Sequence, residues 1–146
     1  VTAIDISPAA LEIARRNAAK HEMDETRITL AEGNLLDSCP QGEPFDLILS
    51  NPPYVSQTEF EQLDKTVREY EPLTALVAGP LGSETIVQLM KQASAHLADD
   101  GWLIIEFSPM LAQQLDTWIP AGWKAPIVTK DYAGHARIVS LQRTQA

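Results

Sequence analysis

Residues 45–55 have the sequence FDLILSNPPYV. An apolar run is followed directly by an asparagine, two prolines and a tyrosine. The stretch from Phe45 to Ser50 is bounded by turn residues, which predicts a strand covered on both faces. Two consecutive prolines end the strand ladder, because neither has a backbone N–H to donate. An Asn-Gly or Asp-Gly turn would end a strand more simply. The exit therefore indicates either a rigid turn or a chemical role.

Strands and helices are predicted to alternate on both sides of this stretch. Apolar runs predict further strands at residues 1–5, 27–33, 102–107, 125–131 and 136–142. Helical patterns lie at residues 7–23, partly at 57–72, and at 82–101 and 109–119, with a loop at 35–44. This order predicts one α/β domain over residues 1–146 with a largely parallel sheet. The last two strands, joined by YAGH at 132–135, predict an antiparallel hairpin.

The sequence predicts the N-terminus of one helix and the apolar faces of two. Ser7 is the predicted N-cap of the first helix, and Pro8 its first residue. The predicted apolar face of that helix contains Ala10, Leu11, Ile13, Ala14 and Ala18. That of the helix at 82–101 contains Ile86, Leu89, Met90, Ala93 and Leu97.

The composition is that of a globular domain without a membrane segment. Of the 146 residues 45% are hydrophobic and 21% charged, and no apolar run approaches the roughly 18 residues that cross a bilayer. The first residues carry no basic signal region. The single cysteine, Cys39, forms no internal disulfide and is interpreted as an inert loop residue. A cytoplasmic location is therefore predicted.

The formal charge of −9 arises from 11 basic and 20 acidic residues. Binding to bare nucleic acid relies on Lys and Arg that neutralise phosphates, so direct nucleic-acid binding is not expected. An acidic surface suits a protein substrate, particularly a basic one, or a small molecule.

Polar residues follow four of the predicted strands, at Asp5, at residues 32–34, at residues 51–54 and at Glu106. In open α/β sheets ligands bind at the carboxyl ends of the strands. A carboxylate such as Asp5 can accept both hydroxyls of a ribose, or it can act as an extra cap for the helix that begins at Ser7.

The NPPY segment resembles a clamp for an amine or amide. The Asn51 side-chain oxygen and the Pro52 carbonyl are two acceptors on a stiff backbone. Together they could hold both hydrogens of a substrate –NH₂ group, and Tyr54 would form a flat wall beside the nitrogen.

The sequence segments around this clamp resemble those of a known family. SNPPYV at 50–55 is similar to the motif of class I S-adenosylmethionine-dependent methyltransferases that act on planar –NH₂ groups. VREYEPLTALVAG at 67–79, LIIEF at 103–107 and DYAGHARIV at 131–139 resemble the HemK/PrmC family of protein-(glutamine-N5) methyltransferases. The resemblance implies a Rossmann-like sheet with a C-terminal antiparallel hairpin. It also implies methylation of the glutamine in the GGQ motif of peptide chain release factors, with S-adenosylmethionine as cofactor.

Roles for individual residues are implied by the same resemblance. The cofactor-binding residues would be Asp5 on the ribose, Asn34 and Leu35 near the adenine, and Asn51. The catalytic residues would be Asn51, Pro52 and Tyr54. The substrate-binding residues would be Asn51, Pro52, Pro53, Tyr54 and Glu71.

Further predictions concern features that the sequence lacks. The family's glycine-rich cofactor loop and first strand would lie just before Val1, so the chain is expected to be a C-terminal fragment of the catalytic domain. His21, His96 and His135 have no Cys or His partner at ligand spacing, and no metal is predicted. Three alternatives stay open: a ribosomal-protein glutamine as acceptor, an exocyclic amine of DNA or RNA, or a non-catalytic remnant.

Overall fold

Strands and helices are interspersed along the chain, as expected for an α/β protein. The computed structural model describes residues 1–39 and 42–145, so part of the loop predicted at 35–44 lies outside the described residues. The strands are β1 (Thr2–Asp5), β2 (Thr29–Glu32), β3 (Phe45–Ser50), β4 (Val55–Ser56), β5 (Val77–Gly79), β6 (Leu97–Glu106), β7 (Ile127–Lys130) and β8 (Ala136–Gln142). The helices are α1 (Pro8–Lys20), α2 (Gln57–Gln62), α3 (Lys65–Tyr70), α4 (Leu73–Leu76), α5 (Glu84–His96), a 3₁₀ helix (Pro109–Gln114) and α6 (Leu115–Trp118). Within the described ranges, none of these helices combines the length and apolarity needed to cross a membrane.

The chain divides into two compact units, residues 1–43 and 44–146. In the first unit β1 and β2 pair in parallel, with Asp5 opposite Glu32. The predicted cap of α1 is confirmed, because the Ser7 hydroxyl accepts the Ala10 N–H at 3.3 Å. Leu11 is the buried residue of this helix. One domain over residues 1–146 stays a prediction.

Two side chains of the first unit add to this description. Ile13 was expected on the apolar face of α1 but is exposed, because two residues of helix turn it about 200° from Leu11. Cys39 is buried, and burial raises the pKa of its thiol. The reactive thiolate is thereby disfavoured, which agrees with an inert residue.

The second unit contains a four-stranded sheet in the order β3-β6-β8-β7. β3 and β6 are parallel, whereas β8 runs antiparallel to both β6 and β7. The predicted C-terminal hairpin is therefore confirmed. β4 and β5 form a separate parallel pair.

One face of the four-stranded sheet is buried and the other is open. The buried face is made by alternate residues of neighbouring strands, namely Ile48, Leu103, Ile105, Val139 and Leu141. Helix α5 contacts β6 and buries Ile86, Leu89, Met90 and Ala93, four of its predicted apolar residues. The fifth, Leu97, is also buried but begins β6.

The prediction that β3 is covered on both faces is wrong for this chain. Leu47 and Leu49 are 48% and 66% exposed, because side chains alternate between the two faces of a strand and these two lie on the face opposite the buried Ile48. Only the side that carries Ile48 packs into the core.

Two element boundaries also differ from the sequence prediction. β6 begins at Leu97, ahead of the predicted residue 102, because Phe45 pairs with Leu97 before the register shifts. The helix expected at 109–119 is a 3₁₀ helix followed by α6. It starts with an i to i+3 bond from the Leu111 N–H to the Ser108 carbonyl at 2.9 Å. Buried Phe107 and Trp118 rings then meet edge to face, 6.4 Å between centroids.

The turn between β7 and β8 is organised by one carboxylate. Asp131 Oδ1 accepts the N–H groups of Ala133 and His135, both at 2.9 Å, and Oδ2 accepts Arg137 Nε at 3.0 Å. The His135 hydrogen bond first, and then Arg137, hold the pKa of Asp131 below its ordinary value.

Acid should therefore weaken the protein partly through Asp131. Folding lowers the pKa of this carboxyl from its ordinary value of 3.8. The ionised group therefore stabilises the native state at pH values above 3.8, and this stabilisation is lost as the pH falls through the lowered pKa. In denaturant unfolding measured at a series of acidic pH values, Asp131→Asn should lose less stability than the wild type. Equal acid sensitivity of the two proteins would contradict this role.

Candidate active site

The NPPY segment leaves β3 at the edge of a cavity in the second unit. This cavity is a depression of about 310 Å³ that is wide open to solvent, and it is lined by Leu49, Ser50, Asn51, Ile104, Glu106 and Ile138. It lies at the carboxyl ends of β3 and β6, the position where ligands bind in open α/β sheets. Its polar side chains are those of a serine, an amide and a carboxylate, and the rest of the lining is apolar.

The register of β3 against β6 brings Asn51 and Glu106 to this cavity. Ser50 pairs with Ile105, so the next residue of each strand stands at the same edge. Asn51 is exposed, whereas Pro52 is buried and Pro53 and Tyr54 are half-buried. The two prolines thus anchor the backbone while the amide of Asn51 stays accessible.

A hydrogen bond connects the NPPY segment to the end of β6. The Tyr54 hydroxyl donates to Glu106 Oε1 at 2.9 Å in a partly buried position. Burial, and then the bond to Glu106 and its charge, raise the pKa of Tyr54, although the Arg137 charge opposes them. The phenol is therefore protonated at neutral pH and acts as the donor.

The residues that hold this tyrosine were only partly visible in the sequence. Glu106 was recognised as a polar strand end, but no role was assigned to it. Arg137 lies in the DYAGHAR segment, and its Nε is bound by Asp131 at 3.0 Å. The signal that could have found them is an acidic residue at the end of a buried strand together with an arginine on the neighbouring strand, β8.

A glycine turn supports the backbone immediately after the tyrosine. Gly82 has φ +84°, and a Cβ there would lie 2.7 Å from the Tyr54 carbonyl oxygen and 3.1 Å from the Ser56 nitrogen. Ser56 pairs with Gly79 of β5 and forms a capping box with Glu59 of α2. The NPPY exit is therefore held by β5 and α2.

Replacing Gly82 by alanine should disturb this support. Both Gly82→Ala and Gly134→Ala place a side chain at positive φ, which costs about 1–2 kcal/mol, but only Gly82 adds a backbone contact. Overpacking of this kind costs a further 1–3 kcal/mol or so. Chemical denaturation should show Gly82→Ala to be the less stable variant. Equal losses would mean that the Tyr54 backbone is not confined by this turn.

Three of the predicted cofactor residues, Asp5, Asn34 and Leu35, lie in the first unit. Asp5 ends β1, its Oδ1 accepts the Ser7 N–H at 2.8 Å, and its carbonyl accepts the Gly33 N–H at 3.1 Å. Asn34 is exposed directly after this contact, and Leu35 has φ +57°. Asp5 therefore has the capping role at one oxygen, and its ribose role stays a prediction.

The remaining predicted residues lie in different surroundings. Glu71 is exposed at the end of α3, where its N–H donates to the Val67 carbonyl at 3.0 Å. Its part in the pocket stays a prediction, as do the roles of Pro52, Pro53 and Tyr54 toward a substrate. Within residues 1–39 and 42–145, no three His, Cys, Asp or Glu side chains are grouped as metal ligands. The absence of a metal also stays a prediction.

Comparison with solved structures defines the class of fold. The ribosomal protein L11 methylase of Lactobacillus delbrueckii subsp. bulgaricus superposes with a TM-score of 0.67 at 20% identity, over 99% of this chain and 58% of that one. The mixed sheet is thus an α/β sheet of the methyltransferase type. A family model described as a methyltransferase domain matches residues 1–125. The chain belongs to this family of methyltransferase domains.

Curated relatives are more similar in sequence. The release factor glutamine methyltransferase of Rhodopirellula baltica is 45% identical over 145 residues, 98% of this chain and 49% of the relative. That of Koribacter versatilis is 36% identical, over 95% of this chain and 48% of the relative. A ribosomal protein uL3 glutamine methyltransferase of Bordetella pertussis is 38% identical, over 73% of this chain and 35% of the relative. The chain spans about half the length of the first two relatives.

Proposed function

We propose that this protein transfers a methyl group from S-adenosylmethionine to the side-chain amide nitrogen of glutamine in the GGQ motif of peptide chain release factors. The observation that carries the proposal is that Asn51, the residue before Pro52, lines an open cavity together with Glu106. Two relatives named release factor glutamine methyltransferases support the choice of acceptor.

The chemistry follows from the electronic structure of an amide. The nitrogen is a poor nucleophile, because its lone pair is delocalised into the carbonyl. The Asn51 side-chain oxygen and the Pro52 carbonyl accept its two hydrogens, which raises the electron density on nitrogen and fixes its direction. Much of the rate then comes from positioning. The carbon–nitrogen bond would form as the carbon–sulfur bond of the sulfonium breaks, which leaves a neutral thioether. A strong base is unnecessary, because the methylated amide cation is strongly acidic and would give its proton to water.

The donor set at the end of β1 fits an adenosyl cofactor. The exposed carboxylate of Asp5 uses Oδ1 on the helix cap, and its other oxygen suits a ribose hydroxyl. Asn34 and Leu35 would contact the adenine. When bound, S-adenosylmethionine supplies an electrophilic methyl group on a sulfonium ion.

The proposed partner is a protein, and Pro53, Tyr54 and Glu71 would shape the substrate side of the pocket. We also propose a cytoplasmic location and no direct contact with nucleic acid or membrane, in keeping with the charge of −9. The second candidate acceptor is a ribosomal-protein glutamine, which the Bordetella pertussis relative favours. Both acceptors present the same amide to the Asn51–Pro52 pair.

Removal of the Asn51 acceptor should impair turnover more than cofactor binding. In the full-length gene product, Asn51→Ala should lower kcat for release-factor methylation about 100-fold, the scale of losing one positioned polar group in an active site. Initial rates with S-adenosylmethionine labelled in its methyl group measure the first effect, and isothermal titration of the same compound measures the second.

Asn17→Ala, on the exposed surface of α1, is the matched control and should keep the wild-type rate. Wild-type turnover in Asn51→Ala would show that the clamp is not the catalytic device. A loss of cofactor affinity that accounts for the whole decrease would assign Asn51 to cofactor binding instead.

A further inference from the structure

Glu106 contacts the NPPY segment from a distant part of the sequence. Its Oε1 accepts the Tyr54 hydroxyl at 2.9 Å across a separation of 52 residues. This side-chain hydrogen bond joins the exit of β3 to the end of β6. A bond between a phenol and a carboxylate is stronger than one between neutral groups.

The same carboxylate faces the cavity that Asn51 lines. Glu106 and Asn51 are lining residues of this cavity, and Tyr54 is not among them. Glu106 therefore stands between the tyrosine and the space that a substrate amide would enter. A displacement of the Tyr54 ring can displace Asn51 as well. The backbone between them consists of two prolines and is stiff, because each proline fixes its own φ.

Arg137 connects the end of β6 to β8 through its backbone and not through its charge. Its positive charge opposes the effect of Glu106 on the pKa of Tyr54, and its side chain binds Asp131, with Nε 3.0 Å from Oδ2. The Arg137 carbonyl also accepts the N–H of Phe107, the residue after Glu106, at 3.0 Å. The end of β6 is thereby tied to β8 on one side and to Tyr54 on the other.

We propose that Glu106 is a positioning residue for methyl transfer, which acts through Tyr54 by accepting its hydrogen bond and so fixing the Asn51–Pro52 pair. The inference rests on the proposed function, which supplies the reaction. It assigns to Glu106 no direct contact with the reacting nitrogen. Substitutions of Glu106 and of Tyr54 consequently remove the same hydrogen bond, and their effects on turnover should not add.

A double-mutant cycle tests this dependence in the full-length gene product. Tyr54→Phe and Glu106→Ala should each lower kcat for release-factor methylation at least about tenfold, the loss expected for a hydrogen bond to a charged group. The KM for S-adenosylmethionine should change little. The double variant should be no slower than the slower single variant, because the shared bond is already lost.

Two further variants separate positioning from folding. Glu106→Gln keeps an acceptor oxygen and should recover part of the kcat that Glu106→Ala loses. Glu61→Ala removes an exposed carboxylate of α2 and should keep the wild-type rate. Multiplicative losses in the double variant, about 100-fold if each single loss is tenfold, would overturn the proposal, since Glu106 would then act independently of Tyr54.

Ionisation of the tyrosine provides a readout that needs no methyl transfer. The ultraviolet difference between wild type and Tyr54→Phe isolates the Tyr54 phenolate from those of Tyr70 and Tyr132, which are both exposed. Tyr54 should ionise above the ordinary pKa of a tyrosine, and Glu106→Gln should move its titration to lower pH. An unchanged titration in Glu106→Gln would overturn the proposal even in an active enzyme. If the wild type methylates no release factor, the proposed function fails, and the titration alone decides whether Glu106 holds Tyr54.

Discussion

The parallel register of β3 against β6 is the constraint on which the candidate site depends. Ser50 stands opposite Ile105, and the strand ladder stops because Pro52 and Pro53 have no N–H to donate. Asn51 and Glu106 consequently emerge at one edge. A slip of one residue would exchange the faces of β3, moving Ile48 out of the core and Leu49 away from the cavity. Packing of the buried face and placement of the polar edge are thus set by the same pairing.

Local features of this fold could be predicted from sequence because their causes are local. Ser7 before Pro8 identifies the start of α1 within a few residues, and two β-type runs around a short turn identify the β7–β8 hairpin. The wrong predictions depend on the surroundings. The apolar sequence of β3 does not reveal that Leu47 and Leu49 lie on an open face, since coverage depends on which elements pack there.

The candidate site was predictable to the same extent. Asn51 and Pro52 can be proposed as site residues from the sequence, because the unusual chemistry of the motif lies in consecutive residues. The bond from Tyr54 to Glu106 was not found, because it joins two strand ends 52 residues apart and requires the sheet register. The support from Gly82 was missed for a related reason, because its glycine requirement comes from the close approach of the Tyr54 backbone.

Two acceptors of the NPPY segment are the basis of the proposed amide substrate. They are the Asn51 side-chain oxygen and the Pro52 carbonyl, whereas Glu106 accepts the hydrogen bond of Tyr54, which keeps its proton because its pKa is raised. An –NH₂ group complements such a site better than a carboxylate does. The acidic surface likewise favours a protein acceptor over a polyphosphate chain.

The most direct test of the account is to locate the transferred methyl group. The full-length gene product would be incubated with S-adenosylmethionine and a purified release factor, and the peptides analysed by fragmentation mass spectrometry. The account predicts one methyl group on the side-chain nitrogen of the glutamine in the GGQ motif. A release factor left unmodified at this glutamine, while an amine of DNA or RNA offered in parallel is methylated, would contradict it.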